Sequence, residues 1–259
     1  MPEGDTVFRT ARNLDAALRG AVLTRSDFRV PRFATVNLAG ETVHEVASRG
    51  KHLLIRVGET SIHSHLKMEG SWHLYRPGSH WKRPAWQARA ILETDDWVAV
   101  GFDLGILEIL PLADEAQALD YLGPDLLGED WDAGEALLRM EQRPERPIAV
   151  ALADQRNLAG LGNEYVNELC FLRGVLPTRR VGEMADVPAM IALAKRLIEA
   201  NRDRDRRTTT GDTRTGAHSW VYSREGLPCR RCGTRILRGE LGRTDLELRV
   251  TYWCPQCQT

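Results

Sequence analysis

The chain has 259 residues, 42% of them apolar and 27% charged, and a formal net charge of −1. These are ordinary values for a soluble globular protein of one large domain or two to three smaller ones. No apolar run approaches the roughly 18 residues of a membrane span. The first ten residues carry Glu3 and Asp5 where a signal peptide would be apolar, so the expectation is a cytoplasmic protein rather than a membrane, secreted or fibrous one.

In chain order, Val7, Ala11, Leu14 and Leu18 recur at helical spacing and Gly20 stops them, which predicts a first helix. Residues 22–110 change character. Short β-rich runs, His52–Val57, Ala88–Leu92 and Trp97–Val100, alternate with turn-forming Gly, Asp and Pro, the pattern of an antiparallel sandwich or barrel. From Leu112 the pattern is helical, with candidates at 112–121, 131–140, 145–155, 163–173 and 187–201, punctuated by Gly123-Pro124 and Arg143-Pro144. Residues 202–217, rich in Arg, Asp, Thr and Gly, are too polar to pack and read as a frayed helix end and a mobile loop. There is no internal repeat.

Charge is unevenly spread. Arg49–Arg89 holds eight basic residues against Glu59 and Glu69, a net +6; Glu93–Glu145 holds fifteen acids against Arg139 and Arg143, a net −13; residues 217–259 hold seven Arg against four acids, a net +3. Two basic surfaces around an acidic stretch suit a polyanion held between two lobes, although ordinary solvated faces would give the same pattern. Only four basic residues are Lys (51, 67, 82 and 195), so a Lys in a pointed context stands out.

Four of the five cysteines form Cys229-x-x-Cys232 and, 21 residues on, Cys254-x-x-Cys257. Each pair aims two thiolates at one point, and two pairs complete a tetrahedral zinc shell with no open position, hence one structural Zn²⁺ and not a catalytic one. Paired disulfides are disfavoured in a chain without secretion signals. Cys170 reads as a small buried hydrophobe.

The terminus carries a second chemical signal. Met1 precedes Pro2, a small residue of the kind after which initiator Met is usually removed. Removal would leave a secondary amine with the modest pKa of an α-amino group, partly unprotonated near neutral pH. Such an amine can attack a sugar C1′ and give an iminium ion, while Glu3 beside it can move protons. A plain helix start explains Pro2-Glu3 as well.

Pro2-Glu-Gly-Asp-Thr6, Ser48-Arg-Gly-Lys-His52, His65-Leu-Lys-Met-Glu-Gly70, Asp154–Tyr165 and Val221–Cys229 occur in this order ahead of the second cysteine pair. Together they resemble the formamidopyrimidine-DNA glycosylase/endonuclease VIII family almost end to end, and Pro-Glu-Gly-Asp resembles the endonuclease VIII branch more. The resemblance implies an α+β fold. A β-sandwich lobe with flanking helices would span 1–124, a helix–two-turn–helix lobe 125–216 and a zinc-finger hairpin 217–259. It further implies Pro2 as Schiff-base nucleophile, Glu3 as acid/base, and Lys51 as the β-lobe lysine that contacts phosphate or assists base departure. Asn163 would lie at the phosphate-binding turn, Met68 would be the wedge that fills the gap of an extruded base, and Arg249 the finger-tip arginine, with Arg243 as its competitor. Cys229, Cys232, Cys254 and Cys257 would hold one structural zinc.

The implied partner is damaged DNA, single- or double-stranded, acted on by a nucleoid-associated monomer. The implied activity is bifunctional: excision of oxidised bases, pyrimidines favoured over purines, then strand cleavage by β,δ-elimination. A non-catalytic zinc-ribbon DNA-binding protein is the alternative from another class, and it has no need of Pro-Glu at the terminus. One departure matters. Gly101–Leu107 holds no Arg where the formamidopyrimidine branch carries an Arg and an aromatic facing the opposite base, and Phe102 suits the core as well as a wedge. The expectation is weak dependence on the opposite base and cutting of single strands at least as good as of duplex.

Overall fold

The structure, a computed structural model, describes residues 2–259; the expected removal of Met1 lies outside the described residues. The chain forms two compact units, Met1–Tyr121 and Leu122–Thr259.

The first unit opens with α1 (Gly4–Leu18), whose Val7, Ala11, Leu14 and Leu18 are all buried, as their spacing predicts. Gly20, at φ +79, follows its end in the left-handed conformation that helix stops favour. Eight strands come next: β1 (Arg25–Phe28), β2 (Val43–Arg49), β3 (His52–Val57), β4 (Thr60–His65), β5 (Ser71–Tyr75), β6 (Ala88–Glu93), β7 (Val98–Phe102) and β8 (Ile106–Pro111). They pair antiparallel in two four-stranded sheets, ordered β1-β6-β7-β5 and β2-β3-β4-β8. Their inner faces and α1 share one core in which Leu53, Ile55, Ile62 and Leu92 are fully buried. Each such side chain contributes about 2 kcal/mol relative to exposure. This is the sandwich the β-rich runs predict.

The helix expected over 112–121 shrinks to a 3₁₀ turn and a single short turn, α2 (Glu115–Ala118), after Pro111. Glu115 explains the departure. Its carboxylate takes Arg56 (2.6 and 3.0 Å) and the Ser61 hydroxyl (2.5 Å), so the segment follows its ion pair to the sheet.

The second unit holds α3 (Ala133–Glu141), α4 (Ile148–Ala153), α5 (Asn163–Leu172) and α6 (Val187–Arg202), then the hairpin β9 (Leu237–Leu241) and β10 (Arg249–Trp253). Asp132 and Asp186 cap α3 and α6 through their side chains. Pro144 and Pro147 shorten the helix expected over 145–155 to α4. Tyr165, Leu169, Cys170, Met190 and Ile198 share one core, and Cys170 is fully buried as expected.

The reading of 202–217 as a segment too polar to pack is corrected here. Thr208 is buried, and the buried Asn201 amide both donates to the Thr208 carbonyl (3.0 Å) and accepts its N–H (2.8 Å). The Thr208 and Thr210 hydroxyls donate to the carbonyls of Asp212 and Ala217 (2.8 and 2.7 Å), so the polar side chains close the loop on itself. Composition hides this because the bonds are polar, some within the loop and others to Glu164 and Glu168 more than forty positions away.

Candidate active site and nucleic-acid interface

In the first unit, Glu3 immediately precedes α1 and is fully buried, with Pro2 half-buried before it. Lys51 lies in the two-residue turn Gly50-Lys51 that joins β2 to β3, where Arg49 faces His52. Gly50, at φ +59, takes the first central position, which suits a turn whose twist matches the strands. Tight geometry thus fixes the lysine at the mouth of a strand pair.

Beside Lys51 runs a polar chain that no motif announced. Tyr121 Oη meets His52 Nε2 at 3.1 Å, His52 Nδ1 meets His63 Nε2 at 2.8 Å, and His63 Nδ1 meets Glu108 Oε2 at 3.2 Å. An ionised Glu108 accepts only, which orients every proton toward it: His63 Nδ1–H donates to Glu108, His52 Nδ1–H to His63, and the tyrosine hydroxyl to His52. Burial is the chief cause holding His52 down to about pKa 3, helped by His65, His63, Lys51 and Lys67. Burial and the same lysines hold His65 down to about 4. His52 and His65 are therefore neutral near pH 7. Alternation on β3 and β4 was the available signal, since His52 lies opposite His65 and Leu54 opposite His63.

Met68 is 61% exposed and lies outside the core. Its loop is strained and braced. Lys67 adopts φ +52, a left-handed conformation costing on the order of 1 kcal/mol in a non-glycine residue. The Lys67 N–H donates to His65 Nδ1 (2.9 Å), and the Gly105 N–H donates to the His65 carbonyl (3.0 Å). A Cβ on Gly105 would lie 2.2 Å from Lys67 Cγ, so only glycine lets the two loops pack.

Phe102 is fully buried, edge-on to His73 and Trp81, and belongs to the core. An arginine from outside 101–107 reaches this segment. Arg83 pairs with Asp103 (2.6 Å) and donates to the Glu69 carbonyl and the Ser71 hydroxyl (3.0 Å each). Sequence proximity could not find it, and its bonds make it a brace of the Met68 loop.

In the second unit, Gly162 and not Asn163 is the N-cap of α5. This frees the Asn163 side chain, whose Nδ2 donates to the Val250 carbonyl at 2.7 Å, next to Arg249. One turn on, Asn167 Oδ1 accepts the Tyr252 N–H at 2.6 Å while its Nδ2 returns to the Asn163 carbonyl at 2.7 Å. The structure thus brings together two residues singled out 86 positions apart, and α5 carries the strand that presents Arg249. Arg249 is exposed, and its side chain has no ion pair among the described residues. Arg243 is engaged with Glu247 at 2.6 and 2.9 Å, which separates the two competitors.

Glu168, also on α5, went unnoticed in the sequence. Fully buried, it accepts the N–H groups of Trp220, Val221 and Tyr222 (2.7 to 2.8 Å) and the Thr209 hydroxyl. Burial pushes this carboxyl up while its four donors pull the other way. It ties the root of the 208–222 segment to the helix.

The sulfurs of Cys229, Cys232, Cys254 and Cys257 all lie within 4.8 Å of one another. Cys229 and Cys257 are 3.9 Å apart, Cys232 and Cys254 3.4 Å, far beyond the roughly 2.05 Å of a disulfide. Four Zn–S bonds of about 2.3 Å place tetrahedral sulfurs about 3.8 Å apart, so the donor set fits a zinc ion.

Residues 1–103 match the formamidopyrimidine-DNA glycosylase N-terminal domain. Over its full length the chain is 55% identical to the DNA-(apurinic or apyrimidinic site) lyase Nei2 of Mycolicibacterium smegmatis, covering 99% of that protein. It is 32% identical to the formamidopyrimidine-DNA glycosylase of Acidiphilium cryptum, both chains covered completely. A solved structure of MutM with DNA containing carbocyclic 8-oxo-G superposes over all of both chains with a TM-score of 0.82 at 22% identity, a likeness of fold. The chain belongs to the formamidopyrimidine-DNA glycosylase/endonuclease VIII family. Its higher identity to Nei2 sets it nearer the endonuclease VIII branch.

Proposed function

We propose that the protein is a bifunctional DNA glycosylase and AP lyase of base-excision repair that removes oxidised bases, pyrimidines above all. The observation that carries this reading is the full-length 55% identity to an AP lyase. The residue roles rest on the Pro2-Glu3 pair at the head of α1, a nucleophile with access to solvent followed by a carboxyl with none.

The Pro2 amine attacks C1′ of the damaged nucleotide, the base leaves, and an iminium ion joins protein and sugar. Glu3 moves the proton that opens the sugar. The iminium then acts as the electron sink for loss of the C2′ proton and of the 3′-phosphate, and the 5′-phosphate follows in a second elimination. Lys51, a compact ammonium fixed by its turn, holds a phosphate or the departing base. Met68 fills the gap left by the extruded nucleotide and offsets part of the unstacking cost of a few kcal/mol. On the other unit, Asn163 and Arg249 hold backbone phosphates. A zinc ion on the four cysteines, when bound, supplies rigidity to the hairpin; the cysteines bring its two strands to one point.

The expected substrate range includes single strands, with weak dependence on the opposite base, because Phe102 is in the core and Arg83 is occupied. Borohydride should trap a covalent adduct with DNA carrying an oxidised pyrimidine. Glu3→Gln should bind that DNA and fail to excise the base. Full excision by this variant would reject the role of Glu3, and a wild-type protein that binds lesions without trapping would leave only the non-catalytic zinc-ribbon reading.

A further inference from the structure

From Gly70 to Leu92 the chain has four basic residues, three tryptophans and no acid. Trp72 is buried and Trp81 packs on Phe102, but Trp86 is 72% exposed. It sits in the 3₁₀ turn Ala85–Gln87 after Pro84, and a guanidinium caps the carbonyl on each side of it. Arg29 donates to the Ala85 carbonyl at 3.0 Å, and Arg89 to the Trp86 carbonyl at 3.0 Å. Asp27 and Asp103 offset part of this charge, at 3.2 Å from Arg29 and 3.8 Å from Arg89. Lys82, exposed four residues earlier, has no ion pair among the described residues.

The indole is thus an exposed flat apolar surface on a turn held by a proline and two arginine tethers. Burial in this fold does not explain it, because burial is what it lacks. Its turn is also tied to the Met68 loop. Arg83 bonds Gln87 (3.1 Å), Asp103 and the Glu69 carbonyl, and the Asp103 N–H donates to the Gln87 carbonyl at 2.9 Å.

We propose that Trp86, with Arg29 and Arg89, is a stacking platform for an unpaired base of single-stranded DNA, a subsite outside the reacting centre. A base offers its π-face to the indole, and the flanking phosphates meet the guanidiniums and Lys82. Paired bases inside a duplex stay stacked on each other and do not offer their faces to the indole. This rests on the reading of the protein as a DNA repair enzyme, and it names the part of the substrate held beyond the lesion.

The full chain is tested by fluorescence anisotropy with a roughly ten-residue oligothymidine and with a blunt duplex carrying a tetrahydrofuran abasic analogue. Trp86→Ala should weaken oligothymidine binding at least about fivefold, as expected for one lost stacked base. Trp86→Phe should stay within about twofold of wild type, and the blunt duplex should be bound within about twofold by both variants. Unchanged oligothymidine affinity in Trp86→Ala overturns the platform and leaves the indole to a protein partner. Equal losses on oligothymidine and duplex overturn it too. If oligothymidine binding depends on Trp86 while borohydride traps no adduct, the platform stands and the lyase reading falls.

Discussion

The two units hold their proposed functional residues by different means. In Met1–Tyr121, Lys51 and Met68 sit on turns, beside a buried chain of histidines and a loop braced by a glycine pressed against Lys67 and by the Arg83–Asp103 pair. In Leu122–Thr259, Asn163 and Arg249 are held through one helix, by the side-chain amides of Asn163 and Asn167, with the four thiols at the hairpin's base. The first arrangement depends on protonation state, the second on metal. Each should therefore fail under a condition that spares the other.

The largest expected effect is on the metal side. Cys232→Ser should release one zinc per chain, disorder the 226–259 hairpin and weaken DNA binding by about a hundredfold or more, because a structural zinc contributes folding energy outright. Metal analysis and amide exchange would check it. The exchange protection of β3 and β4 should be unchanged, and a metal-free protein with an ordered hairpin would refute the zinc assignment.

Acid should act on the other unit. His52 and His65 bind protons more weakly folded than unfolded, so the stability they contribute is complete above about pH 6.5 and is lost as pH falls toward about 4 and 3. With two such groups the loss is on the order of 2 kcal/mol per pH unit between about pH 6 and 4. Urea unfolding at stepped pH should show it, and His52→Gln should flatten the slope. A slope unchanged by that variant would remove the cluster from the account.

The smallest effect separates the two arginines. Arg249→Ala should make the slope of log K against log salt shallower by about 1, the mark of one lost phosphate contact. Arg243→Ala, whose partner Glu247 is already in place, should change it less. The reverse order would exchange their roles.

How much of this the sequence shows depends on the distance over which the determining contacts run. The helical face of α1, the cysteine pairs and the β-rich runs are legible because spacing alone decides them. The 208–222 loop is not. Its Thr hydroxyls and the distant Glu168 satisfy groups that composition reads as solvated. Arg83 reaches Asp103 across 20 positions, and Tyr121 reaches His52 across 69, so neither could be placed beside the Met68 loop or Lys51 without the sheets. The nearly end-to-end family motifs supplied the roles of Pro2, Glu3 and Lys51, which no spacing rule yields.

The central claim is that the amine of residue 2 carries the chemistry. The most direct test is tandem mass spectrometry of the borohydride-trapped adduct with abasic DNA. The account predicts that Met1 is absent and that the sugar remnant sits on the nitrogen of Pro2, with Pro2→Gly largely losing the adduct. A remnant on Lys51 or another lysine, or a fully active chain that retains Met1, would contradict it.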